Sequence, residues 1–168
     1  MLPEKTADVQ FFTDRVHIRL ITENDLELLR FWRNDETTRH FFFNSAIISN
    51  EQQIIWYNAY KRWNNDYQFI FSLRKNDELI PAGTFALYNI QGKVAEFGRA
   101  LVVKQLRRKG IFFEACKCLF ETAKKHFLIE RVFLEVYSSN GRAIHVYQAL
   151  GFIPSEPSES KIKMEKTL

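Results

Sequence analysis

Hydrophobic positions recur at two different periods along the chain. Apolar residues alternate with polar ones over 16–21, which predicts a half-buried strand. They then recur at helical spacing after a capping sequence at 22–25, so a helix should run to about Arg33. A second capping sequence, at 49–52, predicts a helix that reaches about Trp63. The first part of the chain is therefore predicted to be helical after one strand.

From residue 69 onward the apolar period shortens to two before it lengthens again. The predicted elements are strands at 69–73, 80–88 and 94–103, a helix at 111–127, a strand at 131–136, a helix at 143–150, a loop at 154–160 and a last strand around Ile162 and Met164. Turns at Asn76-Asp77 and Gln91-Gly92 join the first three strands. This mixed order predicts a single sheet of the α+β or α/β class.

Length and composition set the domain count. With 168 residues, 46% of them hydrophobic, the chain can bury one core but not two. We expect one domain at 15–168, preceded by an N-terminal extension at 1–14 that has no apolar period. No signal peptide and no apolar run of about 18 residues is visible, so we expect a cytoplasmic protein without membrane contact. The sequence leaves a homodimer open.

The charge and the cysteine and histidine content limit the classes of ligand and partner that we expect. The net charge of +4 suits a polyanionic ligand. Because the basic residues are spread along the chain, no nucleic-acid partner is expected. Cys116 and Cys118 lie two apart in a helical pattern, so they should point apart and stay reduced. The histidines are scattered, and no metal is expected.

A basic loop with one glycine, 107–110, separates the strand at 94–103 from the helix at 111–127. The first N–H groups of a helix lack intrahelical acceptors, and the helix dipole adds positive charge there. Glycine lets backbone approach a ligand closely because it has no Cβ. Such a loop is by itself more often a solvated turn. Its position before a helix nevertheless predicts a phosphate site.

The order Arg107-x-x-Gly110, Asn140 and Tyr147 resembles the GNAT N-acetyltransferase family. The family's phosphate loop reads Arg or Gln, two residues, Gly, one residue, Gly or Ala, so Phe112 departs from it. The segment 133–152 matches the family in order and spacing. The resemblance implies a single-domain GNAT-like α+β fold, whose mixed, mostly antiparallel central sheet is splayed at the cofactor site and flanked by helices.

The resemblance also implies acetyl-CoA as cosubstrate and direct transfer of acetyl to a primary amine. Acetyl-CoA would contact the end of a strand, the loop, the start of the next helix and the second segment. The implied residues are Leu101, Val102, Val103, Arg107, Arg108, Lys109, Gly110, Ile111, Phe112, Asn140 and Tyr147.

Tyr147 is the implied general acid. A phenol with a pKa of about 10 can protonate the departing thiolate and be reprotonated. A tyrosine in a short amphipathic helix can also be simply a core residue. Asn140 could be a helix cap as well as a cofactor contact, and the two roles are compatible.

The general base is left open between two strand glutamates and water. Glu96 and Glu135 are each flanked by apolar residues, and alternation could face either one to solvent. Glu135 precedes Tyr147 by twelve residues, a spacing that also occurs in the family's ribosomal-protein N-terminal acetyltransferases, where that Glu is catalytic.

The acceptor site should come from the first half, because the second half binds the cofactor. There the chain resembles the family branch that acetylates nucleotide-linked amino sugars, through Trp32, Arg33, Asn34, Arg39, Asn44, Trp56 and Tyr57. Parts of this pattern also occur in the ribosomal-protein and small-amine branches, and each tryptophan could be only core. The apolar segment His40–Asn44 is expected to cover part of the core or of a pocket.

Amine acidity bears on the choice of acceptor. Only a neutral amine attacks a thioester, and a lysine side chain with a pKa near 10.4 is about 0.1% neutral or less at pH 7. Neighbouring oxygens lower the pKa of a sugar amine, so little base is needed. We therefore expect a nucleotide-linked amino sugar as acceptor. A protein N-terminus and a non-catalytic CoA-binding module are the alternatives.

Overall fold

The computed structural model describes residues 1–6 and 8–168, which form an eight-stranded sheet flanked by helices. The strands are β1 (Gln10–Phe12), β2 (Val16–Leu20), β3 (Tyr67–Lys75), β4 (Glu78–Gln91), β5 (Val94–Val102), β6 (Arg131–Tyr137), β7 (Ile153–Pro157) and β8 (Lys161–Thr167). The helices are α1 (Leu26–Asn34), α2 (Asn50–Tyr60), α3 (Ile111–His126) and α4 (Gly141–Ala149), with 3₁₀ turns at Glu23–Asp25, Arg39–Phe41 and Lys104–Leu106. The strand order is β1-β2-β3-β4-β5-β6-β8-β7.

Local turn chemistry builds the central hairpins. Asn76 and Asp77 both have positive φ, at 50° and 64°, which is the backbone of a tight hairpin turn and one that Asn and Asp tolerate. Gly92, with φ of 58°, turns β4 into β5. These turns set the antiparallel register of β3, β4 and β5.

The sheet opens between β5 and β6. These strands are parallel, and their ladder joins only Val94–Glu96 to Arg131–Phe133. β5 stays paired with β4 and β6 with β8, so each strand keeps one partner while the facing edges at 97–102 and 134–137 diverge. The divergent part of β5 is roughly 20 Å long at 3.3 Å per residue. A cleft results between the two halves of the sheet.

Both faces of the sheet are covered, which explains the nearly continuous apolar run of β3. Phe69 and Phe71 face the larger core, which includes the buried side of α3. Ile70 faces the second core cluster, which includes residues of α1 and α2. Alternation along one strand thus supplies both cores.

The structure confirms the α+β class and the single mixed, mostly antiparallel sheet. β1 was not predicted, since three residues inside the expected 1–14 extension are too few to show a period, yet it pairs with β2. β7 was predicted as part of a loop at 154–160. It forms the edge of the sheet, where a proline such as Pro154 is tolerated.

Candidate functional site

A cavity of about 1380 Å³ occupies the cleft between the diverging parts of β5 and β6. The loop before α3 and the start of α4 line one end. The other end is lined by residues of α1, α2 and the segment between those helices. The expectation that His40–Asn44 covers a pocket is confirmed, because these residues form part of the wall.

The loop before α3 presents a run of free backbone donors. In the described chain, no acceptor is within hydrogen-bond reach of the N–H groups from Arg108 to Phe113, and the first bond of α3 runs from the Glu114 N–H to the Gly110 carbonyl at 3.0 Å. Arg108 and Gly110 both adopt left-handed backbone, with φ of 62° and 73°. Such alternation of backbone conformations forms an anion-binding concavity, here at a helix N-terminus.

Gly110 is the residue that this loop geometry requires. Its φ of 73° is disfavoured for residues with a Cβ. A Cβ built there would meet only Arg15 Nη2, at 3.7 Å, so the space beside the backbone is open. The Arg107 Nε donates to the Val102 carbonyl at 3.0 Å and so ties the loop to the end of β5.

Phe112 turns its ring away from the free N–H groups. The ring centroid lies 6.0 Å from that of Phe71 and 6.4 Å from that of Phe85, both in the larger core. The backbone N–H of Phe112 remains at the loop. The departure from the Gly or Ala of the family pattern therefore leaves the donor available.

Tyr147 projects from α4 toward β5. Its ring packs edge-on against Phe97, with centroids 6.2 Å apart, and lines the cleft. The hydroxyl has no hydrogen-bond partner among the described residues. Burial, with a smaller effect of nearby Cys116, raises the pKa of Tyr147 above its ordinary value. The phenol therefore stays protonated at neutral pH, as a general acid must.

Asn140 caps α4, because its Oδ1 accepts from the Ala143 N–H at 3.2 Å. The residue also lines the cleft. The cap interpretation is confirmed, and the position is compatible with a cofactor contact as well.

The two candidate bases differ in how firmly they are held. Glu96 accepts from the Tyr88 hydroxyl at 2.7 Å through one oxygen and from Asn89 Nδ2 at 2.8 Å through the other. Burial, followed by this hydrogen bond to Glu96, raises the pKa of Tyr88, so Tyr88 remains a donor. Glu135 lines the same cleft but is exposed, and within the described chain its carboxylate has no hydrogen-bond partner.

Arg99 enters the cleft wall beside Glu96. Its guanidinium makes two hydrogen bonds to Asp66, at 2.8 and 2.7 Å, and a third to Gln68 at 3.2 Å. It also lies 4.4 Å above the centroid of the Tyr88 ring. Arg99 is therefore a fixed cation whose charge is paired.

Arg33, at the other end, is a cation without such a pair. It lies 4.0 Å from the centroid of the Phe42 ring and donates through Nη2 to the Asn44 carbonyl. Its Nη1 is buried without a hydrogen-bond partner, and no carboxylate of the described chain forms an ion pair with it. Desolvation by burial lowers the pKa of Arg33 from its ordinary value.

The structure brings most of the predicted site residues together. Leu101, Val102, Arg107, Arg108, Lys109, Gly110, Ile111, Phe112, Glu96, Glu135, Asn140, Tyr147, Arg33, Asn44 and Trp56 line the cleft. Val103 does not, because it packs against the second core cluster.

Some predicted acceptor residues have structural positions instead. Trp32 and Tyr57 are buried in the second core cluster. Asn34 bonds the backbone of Ile48 through both ends of its amide, at 2.9 and 2.8 Å. Arg39 lies in the 3₁₀ turn outside the cleft wall. Trp-Arg-Asn patterns on a helix cannot all face one way, so the sequence alone did not separate Arg33 from its neighbours.

Sequence reasoning missed Arg99 and Tyr88. Tyr88 could have been found, since the Gln91-Gly92 turn places it opposite Glu96. Arg99 could not, because strict alternation puts it on the core side with Phe97. A bulge, with Arg99 at φ of 49°, shifts the alternation and brings the side chain to the cleft.

Among the described residues, no group of three or more His, Cys, Asp or Glu side chains could hold a metal ion. Among the helices of the same residues, none combines the length and apolarity required to cross a bilayer.

The family model described as "Acetyltransferase (GNAT) domain" matches residues 15–153. A protein of Methanocaldococcus jannaschii known as uncharacterized protein MJ1062 is 25% identical over 141 residues, which cover 82% of this chain and 28% of that protein. The chain thus spans under a third of that relative's length.

Two solved structures share the fold. Spermidine N-acetyltransferase from Vibrio cholerae, in complex with CoA and spermine, superposes with a TM-score of 0.82 at 17% identity, over 92% of this chain and 96% of that one. FdhC, a nucleotide-linked sugar GNAT in its apo form, superposes with a TM-score of 0.81 at 20% identity, over 94% and 89%.

Proposed function

Because the chain belongs to the GNAT acetyltransferase family and is thus an N-acetyltransferase, we propose that it transfers acetyl from acetyl-CoA to the primary amine of a nucleotide-linked amino sugar. One of the superposed structures is a nucleotide-linked sugar GNAT and another is a spermidine N-acetyltransferase, so the choice of acceptor rests on this chain's own cleft. The cationic side chains that line it are Arg33, Arg99, Arg107, Arg108, Lys109 and Arg142, whereas its carboxylates are Glu96 and Glu135.

The loop end of the cleft fits the pyrophosphate of acetyl-CoA. The free N–H groups of Arg108 to Phe113, the left-handed Gly110 and the positive end of α3 all favour a bound anion. The open edge of β5 offers backbone groups along which an extended pantetheine arm can lie. Bound acetyl-CoA supplies a thioester that an amine can attack and a thiolate that can leave.

Two side chains are proposed to move protons. Tyr147, protonated and with a free hydroxyl, protonates the leaving sulfur. Glu96, held through both oxygens by Tyr88 and Asn89, takes a proton from the attacking amine, directly or through a water. We favour Glu96 over Glu135 because a fixed carboxylate loses less freedom when it orients a reactant. Glu135 remains the alternative base.

Arg33 is the observation that carries the choice of acceptor. Arg33 lines the cleft, and its half-buried guanidinium has no carboxylate partner among the described residues, which favours an anion beside it. The diphosphate of a nucleotide-linked sugar supplies that anion, and Trp56, whose ring stacks on Tyr60, lines the same end of the cleft. A polyamine would instead bring positive charge next to Arg33, which is unfavourable.

The experiment compares Arg33→Gln with Arg39→Gln, a matched change at an arginine outside the cleft wall. We expect Arg33→Gln to lower kcat/KM for a UDP- or dTDP-linked amino sugar by about tenfold or more, because one charge-assisted contact is lost. Acetyl-CoA affinity should stay unchanged in both variants. UDP or dTDP alone should inhibit the wild type competitively against the sugar and inhibit Arg33→Gln more weakly. Equal kcat/KM in wild type and Arg33→Gln would remove the diphosphate contact.

The sequence left two alternative functions open. A protein N-terminus has a low-pKa amine that also needs little base, but it brings no diphosphate for Arg33. A non-catalytic CoA-binding module depended on Phe112 blocking the loop, and the partly buried ring packs against Phe71 and Phe85 of the larger core. A cytoplasmic location accompanies the proposed function, since its substrates are cytoplasmic nucleotide conjugates.

A further inference from the structure

Residues 42–48 cross the acceptor end of the cleft, and we call this segment the strap. Its two ends are fixed to α1. Arg33 contacts Phe42 and the Asn44 carbonyl, and Asn34 holds the backbone of Ile48 with two hydrogen bonds. Between these anchors, the strap's side chains form part of the cleft wall.

The far side of the cleft receives one strap side chain, Phe43. Its ring meets Tyr137 of β6 edge-on, with centroids 4.9 Å apart. The Lys161 Nζ of β8 lies 3.7 Å from the centroid of the same ring. Tyr137 and Lys161 are directly paired across the β6–β8 ladder, so the receiving surface is rigid.

This contact lies at the mouth of the cleft. Tyr137 is two residues beyond Glu135, and alternation puts both on the same face of β6. Glu135 lines the cleft. The contact between Phe43 and Tyr137 therefore connects the strap to the face of β6 that carries Glu135. The contact thus spans the cleft beyond the short β5–β6 ladder, where residues 97–102 and 134–137 are not paired with each other.

The contact is also easy to break. Phe43 keeps 46% of its surface exposed, so its burial contributes little. An edge-on aromatic pair and an exposed cation–π contact are each weak. By contrast, the anchors on α1 include an amide bonded at both ends. Because Phe43 lies between Phe42 and Asn44, opening would release this end of the strap together with its Arg33 contacts, while the Ile48 end stays held by Asn34.

We propose that Phe43, Tyr137 and Lys161 form a latch that closes the strap over the acceptor, and that Phe43 is a positioning residue for the reaction. When the latch is closed, the acceptor amine is held against the thioester and water is excluded. When it opens, the acceptor enters and the product leaves. Arg33 links the two events, since the guanidinium proposed to meet the acceptor's anion also holds Phe42 and Asn44.

Amide hydrogen exchange on the full chain tests the latch without any substrate. The hydrogen-bonded amides of Phe42 and Ala46 report on this end of the strap. They should exchange about tenfold faster in Phe43→Ala, and a few-fold faster in Lys161→Met, than in the wild type. Exchange of the amides in the sheet should be unchanged. Phe31→Ala, which removes a 70% exposed ring from α1, is the control and should leave the strap's exchange as it is. Unchanged exchange of the strap in Phe43→Ala would overturn the latch.

Kinetics test what the latch does. Phe43→Ala should raise KM for the amino sugar several-fold. It should also speed the hydrolysis of acetyl-CoA when no acceptor is present, with acetyl-CoA affinity unchanged. Phe43→Tyr, which keeps the ring, should restore both values. If exchange rises in Phe43→Ala but KM and hydrolysis do not, the latch exists without a role in acceptor retention, and that part of the proposal fails. The exchange result stands whichever amine proves to be the acceptor, so it is separable from the proposed function.

Discussion

Replacement of Phe112 by alanine separates the packing of the ring from the role of the backbone. The ring packs near Phe71 and Phe85 in the larger core, while the N–H of the same residue lies in the loop that is proposed to bind phosphate. Alanine keeps the N–H and removes the ring. The substitution should therefore lower the free energy of unfolding and leave the affinity for acetyl-CoA unchanged.

The size of the stability loss follows from burial. A fully buried Phe→Ala change costs about 3 to 5 kcal/mol. Phe112 is only partly buried, so a smaller loss of about 2 to 3 kcal/mol is expected. In a domain of this size that lowers Tm by roughly 5 to 10 °C. Phe113→Ala is the matched control: its ring is 38% exposed, and the loss should stay below about 1 kcal/mol.

Urea unfolding and calorimetric titration with acetyl-CoA supply the two measurements. The predicted result is a lower unfolding midpoint with a dissociation constant within about threefold of the wild type, measured well below the midpoint. Tenfold tighter binding in Phe112→Ala would show that the ring obstructs the cofactor. Unchanged stability would show that the ring is not part of the core. Either result refutes the assignment of ring and N–H to separate tasks.

Three further predictions concern the loop, the acid and the N-terminal segment. Gly110→Glu should raise the acetyl-CoA dissociation constant at least tenfold, because it sets negative charge against the pyrophosphate. Gly92→Glu, at a similar positive φ in open space, should leave it unchanged in a titration; equal affinities would take Gly110 out of the site. Tyr147→Phe should lower the chemical step by about 10²- to 10⁴-fold in single-turnover assays at unchanged acetyl-CoA affinity, and wild-type turnover would reduce Tyr147 to packing. Burial lowers the pKa of Lys5 from 10.5 to about 8, so the unfolded chain binds more protons between these values and Lys5 destabilises the fold least at high pH. Labelling with acetic anhydride against pH should show a Lys5 midpoint near 8, and a midpoint above 10 would contradict the burial.

Strong local signals in the sequence predicted most of the fold. Paired turn residues at Asn76-Asp77 and a glycine at Gly92 fix the hairpins, and helical spacing fixes α1 and α3. β1 and β7 were not predicted because edge strands are specified by pairing with a neighbour rather than by their own pattern. Their contribution comes from tertiary contact, which a single window of sequence does not contain.

The cofactor half of the candidate site was more predictable than the acceptor half. A phosphate loop is a local motif, so a short stretch around Gly110 carries most of its chemistry. The acceptor end depends on which face of α1 and α2 meets the cleft. Of two neighbouring residues in α1, Arg33 lines the cleft and Trp32 is buried in the second core cluster. The Arg99 bulge and the reach of Phe43 across the cleft depend on register and on contacts between distant segments. No spacing in the sequence encodes either.

A three-way competition tests the central claim most directly. Equal concentrations of a UDP- or dTDP-linked aminodeoxy sugar, a ribosomal-protein N-terminal peptide and spermidine would compete for limiting labelled acetyl-CoA, and the products would be resolved by mass. The net positive cleft and the unpaired Arg33 predict that the nucleotide sugar takes most of the label. Preferential labelling of the peptide or of spermidine would contradict the proposed acceptor.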